Sequence, residues 1–491
     1  MIYHSTRDEK LTAAPTRAVL EGIAPDGGLY VCDPGKLDFD WQGTLQKDTM
    51  SMAADILGAL LPDFQDMNEL VRASYAGKFA SDDLTPLVPV GERYVLELYH
   101  GPTSAFKDVA LSVLPRLVSA AAKQEGAGDV VILTATSGDT GKAALEGFHD
   151  VPGTRIMVFY PAGGVSPVQE AQMVTQEGGN VRVCAIRGNF DDAQTGVKNV
   201  FAACKGKDLH GAVLSSANSI NIGRLAPQVV YYFRAYADLV QAGRIRVGEK
   251  VHFVVPTGNF GDILAGYFAK RMGLPVGRLV CASNANDVLT EFISTGVYDR
   301  RRPFYKTTSP SMDILVSSNL ERLLFEETDH NAVQVAEWMK ELNEKGEYKI
   351  GTELQNKILK DFFGTWVDEV ETRETIGDVY NNYGYVMDPH TAVAYKAMEK
   401  YRLMTGDETY SIVLSTASPF KFNDVVLASI DPDTYEGKAL DPFVAMDDLS
   451  RLAKMPIPAG MQELSKLQKR QSDVVDKTRM EAEVKKLLGL E

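Results

Sequence analysis

The chain has 491 residues, 45% of them hydrophobic and 24% charged, enough to bury large cores in two or three domains. Its formal charge of −15 excludes a nucleic-acid scaffold, which needs a basic face, and no run approaches the roughly 20 apolar residues of a membrane span. The scattered cysteines Cys32, Cys184, Cys204 and Cys281 contain no C-x-x-C pair, which argues against a zinc knuckle or a disulfide framework.

The opening "MIYHSTRDEK" mixes charges and lacks an apolar run, so a cytoplasmic protein is expected. Residues 1–92 form a mixed N-terminal segment with the turn-rich "APDGGLYV" and the helical "DILGALLPDF". Residues 93–430 form the core. There "DVVILTA" leads into "TGKAALEGF", "TRIMVFY" into "SPVQEAQMV", "VRVCAI" into "DDAQTGVKNVFAAC" and "KVHFVV" into "GDILAGYFAKRM". This alternation predicts βαβ units, an α/β fold with mostly parallel sheets flanked by helices. From about 310 to 380 the pattern becomes long, amphipathic and charged, as in "HNAVQVAEWMKELNEKGE", which predicts a helical insertion. The last strand, "YSIVLSTA", precedes residues 431–491, read as a C-terminal helical extension with a solvated charged face. No repeat and no heptad seam appears, and a monomer or weak homodimer is the expectation.

In open α/β sheets ligands bind beyond the carboxyl ends of the strands, and four loops there are unusual. "TSGDTGK" carries Thr136, Ser137, Gly138, Asp139 and Thr140; small residues admit a ligand to the backbone, and N–H groups at the helix start favour an anion. A nucleotide P-loop does not fit, because its first glycine would fall at Thr136 and Ala143 replaces the Ser/Thr. A small carboxylate suits the loop better, and a tight turn is the plain alternative. "TGNFGD", with Gly258, Asn259, Phe260, Gly261 and Asp262, opens a helix and makes a phosphate cradle or an ordinary glycine turn. In "SSANSINIGR" a helix starting near Asn221 would aim Arg224 at whatever Asn218 and Ser219 hold, and its planar fork suits phosphate or carboxylate. In "STASPFKF", Thr416 or Ser418 offers a hydroxyl to a buried heteroatom, or caps a helix.

"HGPTSAFKDVAL" places Lys107 near the start of a helix read over "SAFKDVALSVLPRLVSAAAK". A cation there opposes the helix dipole, so a surface lysine is the wrong residue for the position. A nucleophilic amine is different, because apolar neighbours such as Phe106 favour its neutral form. A Schiff-base lysine, a phosphate cradle and a terminal hydroxyl together outline a pyridoxal 5'-phosphate site: the lysine at C4′, the cradle at the phosphate, the hydroxyl at the ring nitrogen.

These stretches, with "STRD", "GIAPDGGLYV", "SPSMDILVSSNLERLLFE" and "DPHTAVA", resemble the motif series of the threonine synthase family, in order and over about residues 3–425. The resemblance implies a fold-type II pyridoxal-phosphate lyase, tryptophan synthase β-like, that makes L-threonine and phosphate from O-phospho-L-homoserine and water. It implies that Lys107 carries the cofactor beside Phe106, and that Gly258, Asn259, Phe260, Gly261 and Asp262 hold the cofactor phosphate. Thr416 would meet the pyridine nitrogen. Thr136, Ser137, Gly138, Asp139 and Thr140 would take the substrate carboxylate, and Asn218, Ser219 and Arg224 its phosphate. Ser418 stands where the motif has histidine, and Asp139 where many related lyases have asparagine, so those contacts need not transfer. His390 reads as structural, and no metal is expected because the histidines lack ligand spacing. Three rivals stay open: a phospholyase releasing 2-oxobutyrate, a serine/threonine dehydratase, and a non-catalytic binding module.

Overall fold

Two sheets organise the computed structural model, which describes residues 1–204 and 206–490. The larger has six strands in the order Phe362–Trp366, Val276–Ser283, Val251–Pro256, Ser411–Ser415, Arg93–Glu97 and Leu87–Val90. All its pairs are parallel except the last. The smaller has five parallel strands, ordered Asp473–Asp476, Val181–Arg187, Thr154–Pro161, Val130–Ala135 and Val213–Ser215. Val130–Ala135, Val251–Pro256 and Ser411–Ser415 are buried at every residue. Helices cover both faces of such strands, so they read as continuous apolar runs rather than alternating ones.

The helix expected across Lys107 is two helices, Lys107–Leu111 and Leu114–Gln124. Pro115 lacks the N–H that would reach back to the Leu111 carbonyl, so the chain restarts. That carbonyl lies against the helix Asp139–Phe148, where a Cβ on Gly147 would stand 2.0 Å from it. Glycine is therefore what lets these two helices approach.

Residues 310–380 are not wholly helical. Beside the helices Leu320–Glu327, Ala332–Lys345, Thr352–Asp361 and Glu369–Tyr383, they supply a short strand, Glu347–Lys349, and the edge strand Phe362–Trp366. "FFGTW" is too short for periodicity to show, and an edge position leaves it only partly buried. The C-terminal segment likewise adds the strand Asp473–Asp476 beside Val181–Arg187.

The N-terminal antiparallel sheet, Thr12–Ala13, Tyr3–Ser5 and Tyr30–Val31, is tied to the core by one buried arginine. Arg322 donates to Tyr30 O at 2.9 Å and to Ile220 O at 2.6 Å, and beside it Glu321 takes a two-pronged bond from Arg7 at 2.8 and 2.7 Å. "STRD" and "NLERLLFE" thus meet as one contact. Among the described residues no helix is long and apolar enough to cross a membrane.

Candidate active site

The strands ending at Glu97, Ala135, Ser215, Pro256 and Ser415 feed the loops singled out in the sequence, and these loops line one cleft. Every expected site residue lines it except Gly138.

Lys107 is the first residue of its helix and is buried. The preceding turn is built by Asp108, whose carboxylate accepts from Thr103 N at 2.8 Å and Thr103 Oγ1 at 2.5 Å, while Ser104 takes a left-handed φ of 59°. Phe106 N then donates to Thr416 O at 2.8 Å, and Ala105 bridges Ala417. The motif's Pro, Thr and Ser shape the turn that hands the lysine to the loop after the last strand.

Burial lowers the Lys107 pKa to about 8, helped by the charges of Arg224 and Lys421 and opposed by Asp139. Phe106 acts otherwise than its apolar character suggests. Its ring centroid lies 4.8 Å from Nζ, a cation–π distance that favours the ammonium, so desolvation by the whole pocket supplies the shift.

Asp139 faces two lysines. Its Oδ2 lies 3.6 Å from Lys107 Nζ, and its Oδ1 is 2.6 Å from Lys421 Nζ and accepts from Gln169 Nε2 at 2.9 Å. Burial pushes this carboxyl up, but Lys421 and Lys107 override it and hold it well below the usual carboxylate range. Lys421 also donates to Thr103 O at 2.9 Å. Thr136 Oγ1 accepts from Gly138 N at 2.9 Å and Gly141 N at 2.8 Å, so these N–H groups, expected to be open to an anion, are already engaged. Gly138, at φ 135°, sits behind the cleft, where a Cβ would stand 2.4 Å from the Gln169 side chain. Ser137 and Thr140 keep their places on the wall.

The cradle opens the helix Gly261–Arg271. Among the described residues the N–H groups of Gly258, Asn259, Phe260 and Gly261 donate to no protein acceptor, while their carbonyls are buttressed. Ser317 Oγ donates to Gly258 O at 2.9 Å, and Asn319 N and Nδ2 donate to Asn259 O at 3.1 and 2.9 Å. The "SSNLERLLFE" motif therefore holds the cradle from behind. Phe260 has φ 62° and packs its ring 5.6 Å from that of Phe362. Asp262, also on the cleft wall, accepts at Oδ1 from Tyr231 and Tyr232 hydroxyls at 2.6 and 2.8 Å, and burial raises its carboxyl to about 6. A Cβ on Gly258 would lie 2.6 Å from Ser311 O. Gly258→Ala is therefore expected to weaken cofactor binding about tenfold, as an overpacked site costing ~1–3 kcal/mol would, and a fluorescence titration checks it. Affinity equal to that of the parent chain would refute the assignment of this loop.

Arg224 is the third residue of the helix Ile222–Leu225, capped by Asn221, whose Oδ1 accepts from Gly223 N at 2.9 Å. It is buried, donates to Ala217 O at 2.8 Å and has no carboxylate partner among the described residues. Burial lowers its pKa to about 10, which leaves it charged at neutral pH. Asn218 is braced by Ala135 O at 3.2 Å, and Ser219 Oγ lies 3.4 Å from Ser318 Oγ.

Thr416 lines the cleft, whereas Ser418 accepts from Phe420 N at 3.4 Å as the cap of a short helical turn. His390 is held on both ring nitrogens: Ser311 N donates to Nε2 at 3.1 Å, leaving a proton on Nδ1 to meet Asp388 Oδ2 at 2.6 Å. It is a fixed residue of the cleft wall.

Lys421 and Gln169 are the site residues that the sequence reading missed. Lys421 sits inside the apolar "SPFKF", the same anomaly that marks Lys107. Gln169 carried no signal, because it reads only as the partner of Ser166 in a capping box. Among the described residues, one group has the closeness a metal needs, Asp33, Glu326 and His330. Arg271 already answers it, 2.8 Å from Asp33 and 3.6 Å from Glu326.

Free cradle N–H groups at a helix N-terminus, a buried lysine with a depressed pKa and a cleft-lining hydroxyl fit pyridoxal phosphate. The comparisons agree. Residues 84–351 match the family described as pyridoxal-phosphate dependent enzyme, residues 2–88 the threonine synthase N terminus, and residues 391–487 the threonine synthase C-terminal region. Threonine synthase of Saccharomyces cerevisiae is 36% identical over 489 residues, covering 92% of this chain and 93% of that one. That of Pseudomonas aeruginosa is 40% identical over 435 residues, covering 87% and 90%. The crystal structure of PLP-bound threonine synthase from Brucella melitensis superposes with a TM-score of 0.85 at 37% identity, covering 99% of both chains. The chain belongs to the threonine synthase family of pyridoxal-phosphate-dependent enzymes.

Proposed function

We propose that the enzyme's substrate is O-phospho-L-homoserine, which it converts with water to L-threonine and phosphate, and that the residues described above carry the reaction. One observation supports this most: apart from the cradle, a buried arginine with no carboxylate partner among the described residues lines the cleft. A buried guanidinium without a carboxylate partner is costly unless a ligand brings the charge, and Arg224 stands beside Asn218 and Ser219 on the cleft wall.

Pyridoxal phosphate, when bound, supplies an electron-withdrawing ring that acidifies the carbons near the substrate's amino group. Gly258 to Gly261 would hold its phosphate, Lys107 its aldehyde carbon and Thr416 its ring nitrogen. Lys107 Nζ, poised near neutrality, removes the proton from Cα as general base. Asp139 receives the resulting ammonium. Because Lys421 stays beside Asp139 throughout, the carboxylate is never left unpaired when Lys107 is neutral. Ser137 and Thr140 position the substrate carboxylate. A second proton leaves Cβ as the Cγ–O bond breaks, and Arg224, Asn218 and Ser219 grip the phosphate ester and keep the departing phosphate; a proton then returns to Cγ, water adds its hydroxyl at Cβ, and Cα is reprotonated.

The test is to incubate the cofactor-loaded protein with O-phospho-L-homoserine and quantify threonine, 2-oxobutyrate and phosphate together. Threonine equal to phosphate is expected; 2-oxobutyrate equal to phosphate would make it the phospholyase instead. Lys421→Met bears on the same assignment. Removing that cation leaves Asp139 to Lys107 alone and withdraws a charge that lowers the Lys107 pKa, so its titration midpoint should rise above about 8. A midpoint that stays put or falls would remove Lys421 from the mechanism.

A further inference from the structure

A second cavity, of about 390 Å³, lies behind the active-site helices, between Asp139–Phe148, Pro167–Val174 and the C-terminal segment near Leu464 and Arg470. Its volume is within the range of small-molecule sites. Gln172 lines it with 1% of its surface exposed, and neither its Nε2 nor its Oε1 has a hydrogen-bond partner. Folded proteins rarely leave a buried amide with both ends open, so this side chain points to a ligand.

The lining specifies what kind. It contains Lys142, 3.0 Å from Glu146, and Arg470, paired with Glu177. These two cations and two anions cancel, and the lining's His149 lies 3.1 Å from its own carboxylate partner, Asp150, so a ligand of one net charge would unbalance the set. A zwitterion would not. Its carboxylate can meet the lining cations and its ammonium the lining carboxylates, a rotation of the Gln172 amide toward the cavity would give both of its buried ends a partner, and Leu464 and Leu467 offer apolar contact. We propose that this cavity binds a free α-amino acid.

Both walls run to the catalytic lysine. The helix carrying Lys142 and Glu146 begins at Asp139. The helix carrying Gln172 presents Gln169, one turn earlier, to Asp139 at 2.9 Å. An amino acid seated here would therefore brace the counter-ion of Lys107. That coupling rests on the proposed role of Asp139, whereas the binding itself does not.

The holoenzyme is first treated with borohydride, which fixes the cofactor to Lys107 and bars amines from the active site. It is then dialysed against labelled L-threonine, L-lysine or L-glutamate, and amide hydrogen exchange is measured. At least one of them is expected to bind one per chain and to slow exchange in residues 167–174 and 459–471. Its affinity should fall tenfold or more in Gln172→Leu and in Arg470→Ala. The second variant guards against misfolding of the first, since the Arg470 side chain is 47% exposed. Absence of binding by all three at millimolar concentration, as for a cavity holding water only, would overturn the proposal. So would binding that both variants leave unchanged, or competition by acetate or methylamine alone as strong as by the amino acid.

Discussion

Lys107→Ala is expected to abolish threonine formation, with a loss of 10²–10⁴-fold from the missing base and a further loss from the missing attachment point of the cofactor. The protein should still fold, because alanine is a strong helix former and the site loses a buried cation rather than gaining one. The matching measurement is the pH dependence of the amine itself. In cofactor-free protein, reductive methylation at Lys107 should rise through a midpoint of about pH 8, against 10.5 for an ordinary lysine. The sign follows from the surroundings: burial disfavours the ammonium, so the neutral, reactive form dominates once the pH passes the lowered value. Asp139 favours the ammonium, and Asp139→Asn should therefore move the midpoint lower still. A midpoint near 10 in the parent protein would contradict the buried, electrostatically crowded site.

Arg224→Met should lower kcat/KM for O-phospho-L-homoserine by about 10²-fold or more, since truncating one side of a buried charge pair costs ~2–5 kcal/mol. The loss should be selective. Methionine fills much of the same volume, so the apolar packing around the helix Ile222–Leu225 is retained, and cofactor binding, which we assign to the separate cradle at Gly258–Gly261, should change little. A variant that loses cofactor and substrate affinity in parallel would show Arg224 to be part of the cradle, and a variant with unaltered kcat/KM would locate the substrate phosphate elsewhere.

The α/β class, the mostly parallel sheets and the loops that matter were legible in the sequence. Strands buried on both faces must be apolar throughout, and loops that approach a ligand must be small or glycine-rich, so these features are written locally. The edge strands Phe362–Trp366 and Asp473–Asp476 were not legible, because their pairing is made by distant partners and not by a pattern of their own. The same division runs through the site. Lys107 was marked by a residue type out of keeping with its position, the Gly258–Gly261 loop by glycines at a helix start, and the Asn218, Ser219 and Arg224 group by an arginine beside small polar residues.

What only the tertiary structure decided is how these residues are charged and which of them face one another. Asp139 reads in sequence as part of a substrate-carboxylate loop, yet folding sets it between Lys107 and Lys421, and Gln169 locks it there. Gly138 packs against Gln169, and Asp262 is held by two tyrosine hydroxyls, neighbours that the sequence does not announce. The physical reason is range. Helix starts, turns and apolar runs depend on neighbours along the chain, whereas burial and ion pairing depend on residues brought together from far apart, and these set the protonation of the lysine on which the chemistry rests.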